Sequence, residues 1–324
     1  MIRIGIIGTG RIAKRFVPEA LCVNGVQVTA VYNPHEGSAE RFVREVCRDE
    51  AIEAYGSLDE LWSHIDAAYI ASPHETHVGY IKESLAHGKP VLCEKPMVLS
   101  KTEAEDCFRL AEEKGLVLME GVKTAYCPGY HKVIEKAKSG IIGDIRYIDS
   151  CFTKLEDESS RELNDTEYGG SFTELGSYVM LPVFDLLGYI GEPLFVSLCD
   201  SKGIDLFTKF DTKGNNGIVS AECGLGVKAE GRLLISGTKG FIKVDAPWWK
   251  TRHIEIHFED ESKSISFDEQ FEGDGLRYEI SEFVQQIDNG GRVTRGESKD
   301  RSLYMADMME RFLLKRTESG VSSK

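Results

Sequence analysis

The feature that most constrains this chain is its start. Ile2 to Ile7 is a nearly continuous β-branched run, the pattern of a strand buried on both faces. Gly8-Thr9-Gly10-Arg11-Ile12-Ala13 follows at once, and Lys14 to Cys22 reads as a helix. Strand, glycine turn and helix in that order give G-x-G-x-x-A the context it needs. Gly8 permits a tight turn, Gly10 lets the backbone approach a ligand closely, and the small Ala13 lets helix lie against strand. The amino end of such a helix offers N–H donors and the positive end of a dipole, which together suit a pyrophosphate. A glycine turn in some other α/β protein is the plain alternative, but this position between strand and helix favours a dinucleotide.

The same alternation continues. Val26 to Tyr32 reads as a strand, Ser38 to Arg48 as a helix, and Ser57-Leu58-Asp59-Glu60 has capping-box spacing. Ala67 to Ala71 is a buried strand, ending in Ser72-Pro73-His74-Glu75-Thr76-His77 and a helix that Gly88 can stop. Val91 to Cys93, a helix from Thr102 to Lys114 and a strand from Val117 to Glu120 complete a parallel, doubly wound sheet over residues 1–122. At the end of the second strand, where a carboxylate usually holds an adenosine ribose, stands Asn33. An amide does not repel a 2′-phosphate, so the choice between NAD and NADP stays open and tilts toward NADP.

Residues 123–324 have a different character. Pro128 to Ser139 is a helix stopped by Gly140. Alternating segments then recur at 144–149, 195–199, 204–210, 217–223, 230–236, 240–244, 254–258 and 263–267. These predict an α/β domain built on a large, mostly antiparallel open sheet. One face packs on helices; a second subunit, in a homodimer or homotetramer, is expected on the other. Leu276, Ile280, Phe283, Val284 and Ile287 stripe one closing helix, and Leu303, Ala306, Met309 and Leu313 another, with 317–324 a loose tail.

Two clusters carry chemistry. Glu94-Lys95-Pro96 follows directly on the apolar Val91-Leu92-Cys93, so the lysine stands just past the carboxyl end of a sheet strand, where ligands bind in such sheets. Pro96 stiffens the turn. Farther on, an acidic, aperiodic loop (156–167) leads into Tyr168-Gly169-Gly170-Ser171 and an apolar helix from Tyr178 to Leu187. Glu174 and Tyr178, four apart, share a helix face. A phenol beside an ammonium can carry a proton, and Lys95 is the candidate cation. Alternatively, the two side chains only make a buried hydrogen bond at the helix start. His74 and His77 are three apart with no third ligand nearby, and no metal is expected.

Composition narrows the partners. Lys+Arg 39 against Asp+Glu 53 leaves −14, which disfavours nucleic acid and anionic membranes. The run from Tyr178 to Ile190 is broken by Pro182 and Asp185 and is too short to span a bilayer. Eight scattered cysteines without a C-x-x-C pair, and a start that reads as a strand, fit a reduced cytoplasmic protein.

Together, Gly8-x-Gly10, Ser72-Pro73 before His77, Glu94-Lys95-Pro96, Gly169-Gly170-Ser171 with Glu174-x-Gly176-x-Tyr178, and Gly237-Thr238-Lys239-Gly240 resemble the glucose–fructose oxidoreductase / inositol dehydrogenase (Gfo/Idh/MocA) family over essentially the whole chain. Many members carry Asp and His where this chain has Glu174 and Tyr178; the tyrosine form resembles the dimeric dihydrodiol dehydrogenase branch. The resemblance implies a Rossmann domain, a nicotinamide cofactor, and oxidation or reduction of a sugar, cyclitol or related diol. It implies Tyr178 as acid/base, assisted by Lys95, with Glu174 orienting the pair. Cofactor contacts are expected from Gly8, Thr9, Gly10, Arg11, Ile12, Asn33, Ser72, Pro73, His77, Glu94 and Lys95, and substrate contacts from Lys123 and Arg161. One departure is Ala125, where relatives place an arginine. A non-catalytic, dinucleotide-sensing regulator on the same fold is the rival expectation; keeping both Lys95 and Tyr178 speaks against it.

Overall fold

The described residues, 1–47, 51–214, 216–290 and 298–319 of a computed structural model, divide into two compact units. Unit 1 comprises Met1–Lys123 and Glu272–Ala306; unit 2 comprises Thr124–Phe271 and the chain from Asp307 onward.

Unit 1 opens with β1 (Ile2–Ile7), α1 (Arg11–Ala20), β2 (Val26–Tyr32), α2 (Ser38–Phe42), β3 (Glu53–Tyr55) and α3 (Leu58–Trp62). β4 (Ala67–Ile70), α4 (His77–Ala86), β5 (Val91–Glu94), α5 (Lys101–Lys114) and β6 (Leu118–Gly121) follow. The strands form one parallel sheet in the order β3-β2-β1-β4-β5-β6. This is the doubly wound order, and it reverses between β1 and β4, where the carboxyl ends of the strands open a crevice. Central strands are buried on both faces: Ile4, Ile6, Ile7, Ala67, Ala68, Tyr69, Ile70, Val91 and Leu92 are all inaccessible to solvent.

Unit 2 contains α6 (Pro128–Lys138), β7 (Ile145–Thr153), α7 (Ser171–Leu187), β8 (Leu194–Cys199), β9 (Asp205–Lys213), β10 (Ile218–Gly224), β11 (Leu233–Gly237), β12 (Gly240–Val244), β13 (His253–Phe258) and β14 (Ile265–Asp268). Its eight strands run β14-β13-β12-β11-β7-β10-β9-β8, antiparallel except for the β7–β10 pair. The apolar α7 lies on the inner face, where the Ser150 hydroxyl donates to the Val179 carbonyl at 2.8 Å. On the outer face Leu194, Val196, Leu198 and Ile218 are exposed.

The chain ends with α8 (Leu276–Asp288) and α9 (Ser298–Ser319). In unit 1, α8 lies against α1, and Arg277 clamps Glu19 through Nη2 to Oε1 at 2.9 Å and Nε to Oε2 at 3.1 Å. Segment 272–306, on the far side of a division at residue 122, thus belongs to the compact body of the first unit.

Several local expectations shift. The helix after the glycine turn begins at Arg11, inside the motif. Ser57 occupies the cap position of α3 but makes no side-chain capping bond; its carbonyl instead accepts from Leu61 N–H at 3.4 Å. The helix expected over 38–48 passes from α2 into a π turn at Val43–Cys47, and Arg48 lies outside the described residues. The helix expected from Tyr178 begins at Ser171, because the glycines end the loop earlier than the apolar run suggests. The expected tail is helical to Ser319, and 320–324 lie outside the described residues.

Candidate active site

In unit 1 the turn after β1 is set by steric necessity. Gly8 has φ +105, and a Cβ there would lie 2.6 Å from the Ala71 carbonyl oxygen. Only glycine satisfies both conditions. Gly10 differs: its φ is −74, and a Cβ there would meet nothing nearer than the Ala71 oxygen at 3.8 Å. The protein's own atoms therefore leave room for a side chain at position 10, and glycine keeps that room open for something outside. Gly10 caps α1 and makes no side-chain hydrogen bond to its first turn. Thr9 is half-buried and Arg11 exposed. Asn33 closes the loop: its Nδ2 donates to Thr9 Oγ1 at 2.8 Å and its Oδ1 accepts from His35 N–H at 2.9 Å. These features suit a dinucleotide pyrophosphate.

Next to this loop, the turns after β4 and β5 are tied together. Fully buried His77 places Nε2 3.0 Å from the Ser72 carbonyl and Nδ1 3.1 Å from the Pro96 carbonyl. Burial pushes its pKa down. The ring is thus a strut between Ser72-Pro73 and the Glu94-Lys95-Pro96 turn. Lys95 is half-buried at the top of that turn.

Beneath Lys95 is a buried acidic cluster. Glu94 accepts from the Tyr69 hydroxyl at 2.6 Å, and Tyr69 stacks on Phe16 with ring centroids 3.7 Å apart. Glu120 accepts from Met97 N–H at 2.9 Å. Glu279 of α8 is inaccessible to solvent, and neither carboxyl oxygen has a hydrogen-bond partner among the described residues. Burial raises the pKa of all three carboxyls, and for Glu279 the charge of Glu94 raises it further. Lys123 is buried and donates to the Asp274 carbonyl at 2.6 Å, and burial pulls its pKa down.

In unit 2, Glu174 and Tyr178 lie one turn apart on α7. Tyr178 is 8% exposed, and its ring tilts against Phe152 at 5.0 Å. Phe152 in turn stacks on Trp249, with centroids 3.5 Å apart and planes 6° from parallel. Arg161 sits exposed on a short turn, Arg161–Leu163, of the acidic loop.

Unit 1 thus brings together the glycine turn, Asn33, Ser72, Pro73, His77, Glu94 and Lys95, while Glu174, Tyr178 and Arg161 belong to unit 2. Sequence reasoning missed Tyr69, Glu120, Glu279, Phe152 and Trp249. Glu279 did leave a signal: it falls three residues after Leu276 and four before Phe283, on the apolar stripe of α8. His74 and His77 stack at 5.6 Å, and no group of three His, Cys, Asp or Glu among the described residues could hold a metal ion.

A six-stranded parallel sheet in this order, with such a glycine turn and a lysine at a strand end, defines a dinucleotide-binding oxidoreductase fold. Residues 2–122 match the oxidoreductase family with an NAD-binding Rossmann fold (Gfo/Idh/MocA), the family that the motifs resemble. The chain is 29% identical to the NADP-dependent scyllo-inositol 2-dehydrogenase of Bacillus subtilis over 96% of its length and 95% of that enzyme's. It is 27% identical to trans-1,2-dihydrobenzene-1,2-diol dehydrogenase of Sus scrofa, covering 95% of each chain. Among solved structures it resembles the 3-ketoreductase KijD10 of Actinomadura kijaniata in complex with TDP-benzene and NADP, with TM-score 0.81, 22% identity and 96% of each chain covered.

Proposed function

We propose that this protein is an NAD(P)-dependent dehydrogenase/reductase acting on a CH–OH group, or the matching carbonyl, of a sugar, cyclitol or related diol. The observation that carries this reading is Gly10, an open position where no protein atom demands glycine, in the same unit as the strand-end Lys95. The nicotinamide, when bound, supplies the hydride acceptor or donor. Residues 8–12, with Asn33, Ser72 and Pro73, hold the dinucleotide, while His77 keeps the two flanking turns in place. In the oxidative direction Tyr178 takes the hydroxyl proton, and Lys95 stabilises the resulting oxyanion and donates to the substrate oxygen. Glu174 orients this pair, and Lys123 and Arg161 contribute to the substrate side. Residues 1–122 serve the cofactor and residues 123–324 the substrate and assembly.

NADP is the preferred cofactor, because no carboxylate occupies the end of β2 and Asn33 spends its amide on Thr9 and His35. The test mixes purified protein with NADPH or NADH and a panel of sugars, inososes and small dicarbonyls. Turnover with tighter NADPH binding is expected. Tight cofactor binding without turnover of any carbonyl identifies a sensor instead, and a strong preference for NADH overturns the cofactor assignment.

The outer face of the unit 2 sheet, with Leu194, Val196 and Leu198 alternating along β8, joins copies into a homodimer or homotetramer. Sedimentation should show an oligomer that Val196→Lys disrupts; a monomeric wild type contradicts this. The eight cysteines are all free thiols, which fits a cytoplasmic setting.

A further inference from the structure

Helix α7 starts at a residue without a side chain: its cap is Gly170. The first turn is held from farther along unit 2. Asp205, the first residue of β9, is completely buried. Its Oδ2 accepts from Phe172 N–H at 2.8 Å and from the Thr208 hydroxyl at 2.8 Å. Its backbone carbonyl accepts from the Ser171 hydroxyl at 2.9 Å, and that hydroxyl oxygen accepts from Leu225 N–H at 2.9 Å. A carboxylate from a remote strand thus does what a capping side chain normally does from within the helix.

Arg316 of α9 completes the arrangement. Its Nη1 lies 3.6 Å from Asp205 Oδ1 and donates to the Gly169 carbonyl at 2.7 Å. Its Nη2 donates to the carbonyls of Thr166 at 3.1 Å and Glu167 at 2.6 Å. One guanidinium therefore ties the end of the acidic loop to the start of α7. Gly170 is explained by the same contact: at φ +111, a Cβ there would fall 1.9 Å from Asp205 Oδ1.

We infer that Asp205 and Arg316 are positioning residues for catalysis, a clamp that fixes the axial placement and rotation of α7 and so aims Glu174 and Tyr178. This rests on the reading of Tyr178 as the proton carrier. The clamp is tightest when Asp205 is charged, since an ionised carboxylate is the stronger acceptor for Phe172 N–H and the counter-charge for Arg316. Burial holds its carboxyl up at about 6 despite those bonds. The other titratable groups facing it are Cys199 of β8 and Cys223 of β10, whose thiols desolvation pushes above their ordinary value, and its charged neighbour is Arg316. Because the folded value lies above the ordinary carboxyl range, this group's contribution to stability is full at low pH and lost as pH rises through about 6. Placement works in the opposite sense: Phe172 N–H and Arg316 both lower this carboxyl's pKa, so a loosened clamp with Asp205 still buried holds its proton more tightly and is favoured as pH falls below about 6.

The test uses full-length protein and Asp205→Asn, which keeps shape and one acceptor but cannot titrate. Relative to wild type, kcat should fall about tenfold through misplacement, with cofactor Kd unchanged, and the acid limb of the kcat profile should disappear. A folded D205N with wild-type kcat and the same acid limb overturns the inference. Amide exchange gives a readout independent of turnover: protection over residues 171–178 should weaken in wild type between pH 7.5 and 5.5, after correction for intrinsic rates, and not in D205N. Equal protection at both values in wild type overturns it too. If D205N does not fold, Arg316→Lys keeps the charge but loses the fork; unchanged kcat there also contradicts the clamp. Tyr178→Phe separates the two readings. If it retains wild-type turnover, the role of Tyr178 fails; if it is inactive while D205N keeps wild-type kcat, only the clamp fails.

Discussion

The strand ends of unit 1 and the start of α7 in unit 2 bind their chemistry to the fold in opposite ways. In unit 1 each element of the site is local: a turn follows its own strand, and Gly8, Ser72 and Lys95 stand within two residues of β1, β4 and β5. The parallel sheet alone brings these turns to one edge. In unit 2 the helix carrying Glu174 and Tyr178 is held by Asp205, 33 residues beyond Phe172, and by Arg316, 147 beyond Gly169. Local sites survive as motifs in a sequence. Sites held from a distance leave only glycines where the distant group needs room.

The largest expected effect breaks the unit 1 side of that comparison. Lys95→Met should lower kcat/KM by about 10²-fold or more, while cofactor Kd changes little. A kcat/KM within a few-fold of wild type would remove Lys95 from the mechanism.

A pair of substitutions sharpens it. Gly8→Ala places a Cβ 2.6 Å from the Ala71 oxygen at φ +105, so it should destabilise the fold by about 1–3 kcal/mol and lose cofactor binding as well. Gly10→Ala meets no protein atom closer than 3.8 Å and should leave Tm unchanged while weakening cofactor binding about tenfold or more. Thermal melts with and without NADPH separate the two; equal behaviour would mean that Gly10 serves the fold rather than a ligand.

The smallest effect concerns the carboxyl that sequence reasoning passed over. Burial and the nearby charge of Glu94 push the Glu279 carboxyl well above its ordinary range in the fold. Its stabilising contribution is therefore complete at low pH and is lost as pH rises, since the unfolded chain ionises first. The stability of Glu279→Gln in urea relative to wild type should increase from pH 4 to pH 8. A gap that does not grow with pH would contradict a raised Glu279 pKa.

Much of the fold was legible because its signals are periodic. Continuous apolar runs marked β1, β4 and β5, and alternation marked the antiparallel strands of unit 2 to within a few residues. The start of α7 was misjudged because Ser171 to Ser177 is only partly apolar, and the groups that bond its first turn and Gly169 before it, Asp205 and Arg316, are remote in sequence. Glu279 and Tyr69 were missed for the same reason: a buried glutamate on an α8 stripe, or a tyrosine in a buried strand, acquires meaning only when Glu94 is seen beside it. His77, expected as a cofactor contact, is buried between the turns after β4 and β5 and reaches a carbonyl in each.

The central claim is that the chain transfers hydride with Lys95 and Tyr178 as its proton-handling pair. NADPH deuterated at C4 of the nicotinamide, incubated with wild-type protein and a panel of inososes and keto sugars, tests it most directly. The account predicts deuterium on the carbinol carbon of at least one product, with the transfer lost in Lys95→Met although the nucleotide still binds. Undiminished transfer in that variant, or tight nucleotide binding with no label in any product, would contradict it.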